Sequence, residues 1–237
     1  MNTALIFAGG SGTRMNSKTR PKQFLELNGK AIIIHTLEYF ERCSEIDNIA
    51  VVCIADWIDY LKELLKKNFI TKVKWIVPGG STGQESICNG LKAIYADCPD
   101  PKDSVVLIHD GVRPLISEQL IKDNIECGTA ITVVPQNETV VSINDDNEIV
   151  STTERSTARI ARAPQSFILE DIMECHRKAI AEGRNNMIDS ASMMTEYGHK
   201  LHVVEGPIEN IKITTPSDYY IFRAIFEARE NSQIFGF

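Results

Sequence analysis

Ala4-Leu5-Ile6-Phe7-Ala8-Gly9-Gly10-Ser11-Gly12-Thr13-Arg14-Met15, followed closely by Arg20-Pro21-Lys22-Gln23-Phe24, sets the architecture of this chain. A short apolar run that ends in glycines reads as a buried strand leaving into a loop. Gly9, Gly10 and Gly12 carry no Cβ, so the loop backbone can approach a ligand closely. Successive N–H groups in such a loop form a concave cradle for phosphate oxygens. Arg14 and Lys22 bring positive charge to the same place, Arg as a bidentate fork and Lys as a point charge. The dinucleotide fingerprint fails, because its third glycine position, counted from Gly10, is Met15. The phosphate-loop NTPase pattern fails too, because Gly12-Thr13-Arg14 is not Gly-Lys-Ser/Thr. A tight turn with two solvated cations is the bland alternative.

Outward from this loop the chain alternates. Ile49 to Ile54 is a continuous apolar run, as expected of a strand covered on both faces, and Val73 to Val77, Ser104 to Asp110 and Ala130 to Val134 read as further strands. Helical spacing fills the gaps: Ile32 to Cys43, Trp57 to Asn68, Ser81 to Ala96 and Ile116 to Cys127. This alternation predicts an α/β fold with a mainly parallel sheet and helices on both faces. Ligands in such sheets lie beyond the carboxyl ends of the strands. Gly9–Gly12, Gly79-Gly80 and Asp110 all fall there.

The pattern changes after Val134. Glu138 to Ile143 and Glu148 to Thr153 alternate, with Asn144-Asp145-Asp146-Asn147 as a turn between them. This predicts a protruding β-hairpin arm over 137–157, too small to bury its own core. It is expected to pack on a second subunit and give a homodimer, or else to fold back on its own domain. Helices are expected at Leu169 to Ala181, from Asp189 through Met194, and at Pro216 to Ala228. Short strands are expected at Leu201 to Val204 and Ile211 to Ile213. A single domain over 1–237 accounts for all of this.

Composition narrows the classes. The chain has 237 residues and a formal net charge of −7, which disfavours a nucleic-acid partner. Six cysteines without a C-x-x-C pair speak against a zinc site or a redox motif. The start has no leader pattern and no apolar run reaches membrane-spanning length, so a cytoplasmic protein without a membrane partner is expected. Asp110, at a strand end in Ile108-His109-Asp110-Gly111-Val112-Arg113-Pro114, is a candidate Mg²⁺ ligand, with a plain turn former as the alternative. Arg113 would orient it or cap the next helix, and His109 reads as structural. Lys212 alternates with Ile211 and Ile213 and so points to one face, with a solvated surface lysine as the alternative. Ser86 is either part of the pocket near Gly80 or a helix cap.

Together, Ala8 to Met15, Pro21-Lys22-Gln23, Gly79-Gly80, His109 to Pro114, Ala163-Pro164-Gln165-Ser166-Phe167 and Asn210-Ile211-Lys212 resemble the polyol-phosphate cytidylyltransferases over essentially the whole chain. The resemblance implies a Rossmann-like fold of the nucleotide-diphospho-sugar transferase type. It implies CMP transfer from CTP to a polyol phosphate, with a divalent cation, Mg²⁺. It assigns Arg14, Lys22 and Lys212 to catalysis. It assigns Ala8, Gly9, Gly10, Gly12, Gly80, Ser86 and Asp110 to CTP. Thr139, Arg155 and Asp110 would hold the acceptor, with Asp110 also on the metal. Ser81 and Gly83 stand where the family commonly has an acid and an arginine, and Arg162-Ala163 where it commonly has Gln-Thr. The stretches around Ile33, Trp57 and Ile211 look more like the branch that uses D-ribitol 5-phosphate than the one that uses 2-C-methyl-D-erythritol 4-phosphate. An oxidoreductase and a silent nucleotide-binding protein are the competing classes. The first lacks the glycine and strand-end acid it needs, and the second would bind CTP without releasing pyrophosphate.

Overall fold

The computed structural model describes residues 1–10, 15 and 20–235, with side chains up to 231. In chain order the elements are β1 (Asn2–Ala8), β2 (Glu26–Leu27), β3 (Lys30–Ala31), α1 (Ile32–Arg42), β4 (Asn48–Cys53), α2 (Ile58–Lys67), β5 (Val73–Pro78), α3 (Gly83–Asp97) and β6 (Val105–Asp110). They continue with α4 (Glu118–Cys127), β7 (Ala130–Pro135), β8 (Val141–Ile143), β9 (Ile149–Thr152), β10 (Arg159–Ile168), α5 (Leu169–Ala181), α6 (Ser190–Glu196), β11 (His202–Glu205) and α7 (Pro216–Phe235).

One seven-stranded sheet runs in the order β11-β7-β10-β6-β1-β4-β5. β1 pairs in parallel with β4 and β6, with Ala8 opposite Cys53 and Phe7 opposite Asp110. The carboxyl ends of β1, β4 and β6 therefore line up. Two backbone bonds extend that edge: Gly111 N–H donates to Phe7 O, and Gly79 N–H to Cys53 O, both at 2.9 Å. β10 alone runs against its neighbours, antiparallel to both β6 and β7.

Alternation along the strands splits the core into two layers. Ala4 and Ile6 of β1, with Ile49 and Val51 of β4, face α1, α2 and α4. Leu5, Ala50 and Val52 face α3, α5 and α6. Helices cover both faces, as the unbroken apolar strands predict. A third cluster gathers Met15, Leu27, Ile32, Val112, Leu115, Ile213 and Phe222, and so seats α7 beside the end of β6.

Three expectations are revised. β10 and the β2–β3 hairpin were not foreseen. No strand forms at 211–213. That segment is pinned by other means: Ile213 N–H donates to Val112 O at 2.9 Å, and Asp218 Oδ2 accepts from the N–H groups of Thr214 and Thr215 at 2.9 and 2.7 Å. The β8–β9 hairpin forms where the arm was expected, and both of its strands are exposed.

Candidate active site

The alignment of strand ends brings Asp110, Arg113 and Lys212 to one cavity of about 370 Å³. Lys212 Nζ lies 2.6 Å from Asp110 Oδ1, and Arg113 Nε lies 2.8 Å from Asp110 Oδ2. Arg113 also donates from Nη1 to Asn210 O at 2.9 Å. Asn210 is fully buried, and its Nδ2 donates to Ala163 O at 2.6 Å. One arginine thus ties β6 to the segment that carries Lys212, and Asn210 ties that segment to β10. Burial pushes the Asp110 carboxyl up, but the charges of Lys212 and then Arg113, with their hydrogen bonds, outweigh it. Asp110 is held well below the usual carboxylate range and is ionised at any working pH.

Lys22 reaches the same segment from the other side. Its Nζ donates to Ile213 O at 3.0 Å, one residue beyond Lys212. Next to it, buried Gln23 donates from Nε2 to Ala8 O at 2.7 Å and to Gly10 O at 3.3 Å. Gln23 therefore fastens the start of the glycine loop to the turn that carries Lys22. Arg14 and Gly12 lie outside the described residues.

Gly9, Gly79, Gly80 and Ser86 meet at the ends of β1 and β5 and do not line this cavity. The Ser86 hydroxyl accepts from Gly80 N–H at 2.9 Å and donates to Thr82 O at 2.8 Å. A Cβ on Gly9 would come 3.5 Å from that hydroxyl, and one on Gly79 would come 3.2 Å from it. The glycines are what let β1, β5 and α3 meet so closely. Ser81, in the place of the acid seen in the resembling family, donates its N–H and hydroxyl to Glu85 Oε2 at 2.7 and 2.5 Å. Thr82 caps α3 by accepting from Glu85 N–H.

Thr139 and Arg155 do not line this cavity within one chain. They bond to each other, Arg155 Nη2 to Thr139 Oγ1 at 3.0 Å, on the exposed base of the arm. His109 is buried with Nε2 3.2 Å from Arg113 O, and burial lowers it to about 4, so it is neutral and structural. Residues that the sequence noted but did not assign to the site also line the cavity: Arg162, Gln165 and Asp189. Gln165 Nε2 donates to Asp189 Oδ2 at 2.9 Å, and Asp189 caps α6 through Ser192 N–H. The local signs were the motif around Pro164-Gln165, with Arg162-Ala163 in place of Gln-Thr, and the helix start at Asp189.

The described residues hold no cluster of three metal-binding side chains. Asp110 suits Mg²⁺ as a single carboxylate, because that ion commonly takes one or two carboxylates and completes its shell with substrate phosphates and water. Its Oδ1 is engaged by Lys212, a side chain 38% exposed and hence able to swing away.

A Gly-rich strand exit, and a strand-end acid paired with a lysine at the carboxyl edge of a mostly parallel sheet, define a nucleotidyltransferase. The comparisons agree and narrow the class. Residues 2–228 match the family described as 2-C-methyl-D-erythritol 4-phosphate cytidylyltransferase, and the chain belongs to that family. It is 52% identical to a ribitol-5-phosphate cytidylyltransferase of Streptococcus agalactiae over the full length of both chains. It is 53% identical to a protein of the same description from Vibrio parahaemolyticus, again over both full lengths. A crystal structure of 4-diphosphocytidyl-2C-methyl-D-erythritol synthase from Anaerococcus prevotii superposes with a TM-score of 0.81 at 31% identity, covering 95% of this chain and 96% of that one.

Proposed function

We propose that this protein transfers CMP from CTP to D-ribitol 5-phosphate, giving CDP-ribitol and pyrophosphate. The observation that carries the transfer is the convergence of Lys22 and Lys212 on one segment beside an ionised Asp110. The acceptor rests on the 52–53% identity to enzymes described as acting on ribitol 5-phosphate. A second reading, the same transfer to 2-C-methyl-D-erythritol 4-phosphate, is favoured by the family description and by the Anaerococcus fold match.

A phosphate monoester is already a nucleophile, so attack in line on the α-phosphorus needs no general base. The protein's work is positioning and neutralisation of charge in a site cleared of water. Lys22 approaches the triphosphate from the turn at Lys22–Phe24, and the family resemblance assigns Arg14 to the same triphosphate. Lys212 leaves Asp110 for the phosphate under attack. Arg113 keeps the Asp110 carboxylate oriented while Lys212 moves. A magnesium ion that arrives with the triphosphate would be held by Asp110 and would supply further charge neutralisation. Gly9, Gly10, Gly80 and Ala8 present backbone to the nucleotide, and Ser86 holds the turn opposite them. Thr139 and Arg155 serve the acceptor phosphate of a second subunit, across a homodimer made by the arm.

Pyrophosphate release tests this reading. CTP, UTP, ATP and GTP are each offered with ribitol 5-phosphate and with 2-C-methyl-D-erythritol 4-phosphate. Release only with CTP, and faster with ribitol 5-phosphate, is the expected result. Preference for methylerythritol phosphate gives the second reading. Binding of CTP without release from either acceptor overturns both.

A further inference from the structure

Arg162 is the residue that the site leaves unexplained. It stands in β10 where the ladder to β7 shifts register between Ala161 and Gln165. Such irregularities re-aim a side chain away from the regular pleat. Here the side chain lines the same cavity as Asp110, Arg113 and Lys212. Its Nε is buried without a hydrogen-bond partner. Among the described residues, no carboxylate lies within ion-pair distance of it. Its neighbours are accounted for differently: Arg113 and Lys212 both pair with Asp110. Asp189, the other carboxylate in the cavity, is engaged by Gln165 and by the α6 cap. A half-buried guanidinium with an orphan donor beside other cations is costly unless an anion completes it. Burial, and then the charge of Arg113, both work against its positive form.

Topology says which anion. The nucleotide-side glycines sit at the ends of β1 and β5, whereas β10 lies on the opposite side of β6, next to the strand from which the arm departs. We propose that Arg162 binds the phosphate group of the acceptor and holds its oxygen toward the α-phosphorus. The proposal rests on the transferase reading above. It adds a second guanidinium to the acceptor side, one that uses its planar donors where a lysine offers only a point charge.

The test is calorimetric titration of ribitol 5-phosphate into the full-length protein. The protein is first loaded with magnesium and a CTP analogue whose α,β-bridge is methylene, which stops turnover. Arg162→Ala is expected to weaken ribitol 5-phosphate about ten- to a hundred-fold, the range for lost hydrogen bonds to a charged group. Affinity for the analogue stays within about two-fold by the same argument that places Arg162 away from the nucleotide. Arg162→Lys recovers part of the loss and Arg162→Gln little of it. In steady state the KM for acceptor rises while the KM for CTP does not. Equal acceptor affinity in Arg162→Ala and wild type overturns the proposal, as does equal weakening of both ligands or the absence of acceptor binding in wild type. Arg162-dependent binding without any pyrophosphate release by wild type would leave this assignment standing and remove the transferase reading. Normal turnover with an indifferent Arg162 would do the reverse.

Discussion

Lys212 and Arg113 both reach Asp110, but only one of the two contacts is built to break. Arg113 is almost buried and doubly fixed, to Asp110 and to Asn210 O. Lys212 is more exposed and holds Asp110 by one ammonium. Lys212→Ala is therefore expected to lower kcat by about 10² to 10³, the scale for losing one donor to transition-state charge. Urea unfolding should also shift to a lower midpoint, since the buried Asp110 carboxylate is left with Arg113 alone. Near-normal kcat in this variant would remove Lys212 from the chemistry. His176 makes a separate prediction. It is buried, both ring nitrogens lack partners, and burial, followed by the charge of Lys92, lowers it to about 4. Its unfolded value is the ordinary 6.5. The unfolded chain thus binds the extra proton first, so stability is complete above about pH 6.5 and falls as the pH drops toward about 4, by up to about 1.4 kcal/mol per pH unit. His176→Leu should flatten that slope in urea titrations at pH 7 and pH 5; an unchanged slope refutes the assignment. Asp110, Arg113 and Lys212 were legible because each sits in a short motif with its own signal. Gln23 and Asn210 sit in such motifs too, yet their roles, like that of Arg162, were not legible, because these depend on contacts absent from local spacing: Arg113 and Asn210 are 97 residues apart.

Among the elements, β10 shows why the parallel strands were easy to read and this one was not. Arg159-Ile160-Ala161-Arg162-Ala163-Pro164 breaks every rule for a central strand, since proline cannot donate to a ladder and arginine is seldom buried. The chain accommodates both by shifting register between Ala161 and Gln165. The segment at 211–213 errs the other way. Alternating isoleucines look like a strand, yet it is capping by Asp218 and contact with Val112 that place them. The helices followed their periodicity, and α3 carries a prediction. Gly90 faces the sheet, and a Cβ there would come 2.8 Å from Leu5 Cδ1 and 2.8 Å from Val52 Cγ2. Gly90→Ala would ordinarily favour a helix by about 1 kcal/mol. Against close-packed β1 and β4 it is expected to destabilise instead, by about 1–3 kcal/mol, as overpacking does. The denaturant midpoint should fall, and a rise would mean that α3 stands off the sheet.

For the molecule as a whole, the arm presents apolar side chains that remain exposed in the single chain. Ile143 and Ile149 face each other across its ladder and are 56% and 67% exposed, and Val150, next along β9, is 61% exposed. Neighbouring strand residues point to opposite faces, so both faces of the hairpin present apolar side chains. An isolated two-stranded hairpin is marginal in water, and a bare apolar edge invites pairing. A second copy of the chain covering the arm would bury these side chains and carry Thr139 and Arg155 toward the partner's cavity. Sedimentation of the wild type should then show a dimer at micromolar concentration. The double variant Ile143→Asp, Ile149→Asp puts two charges into that contact and should sediment as a monomer with its core intact, since both side chains are more than half exposed. If Thr139 and Arg155 act across the interface, the variant loses acceptor affinity far more than CTP affinity. A dimeric double variant would take these isoleucines out of the subunit contact, and a monomer with undiminished acceptor KM would show that each chain binds its acceptor alone.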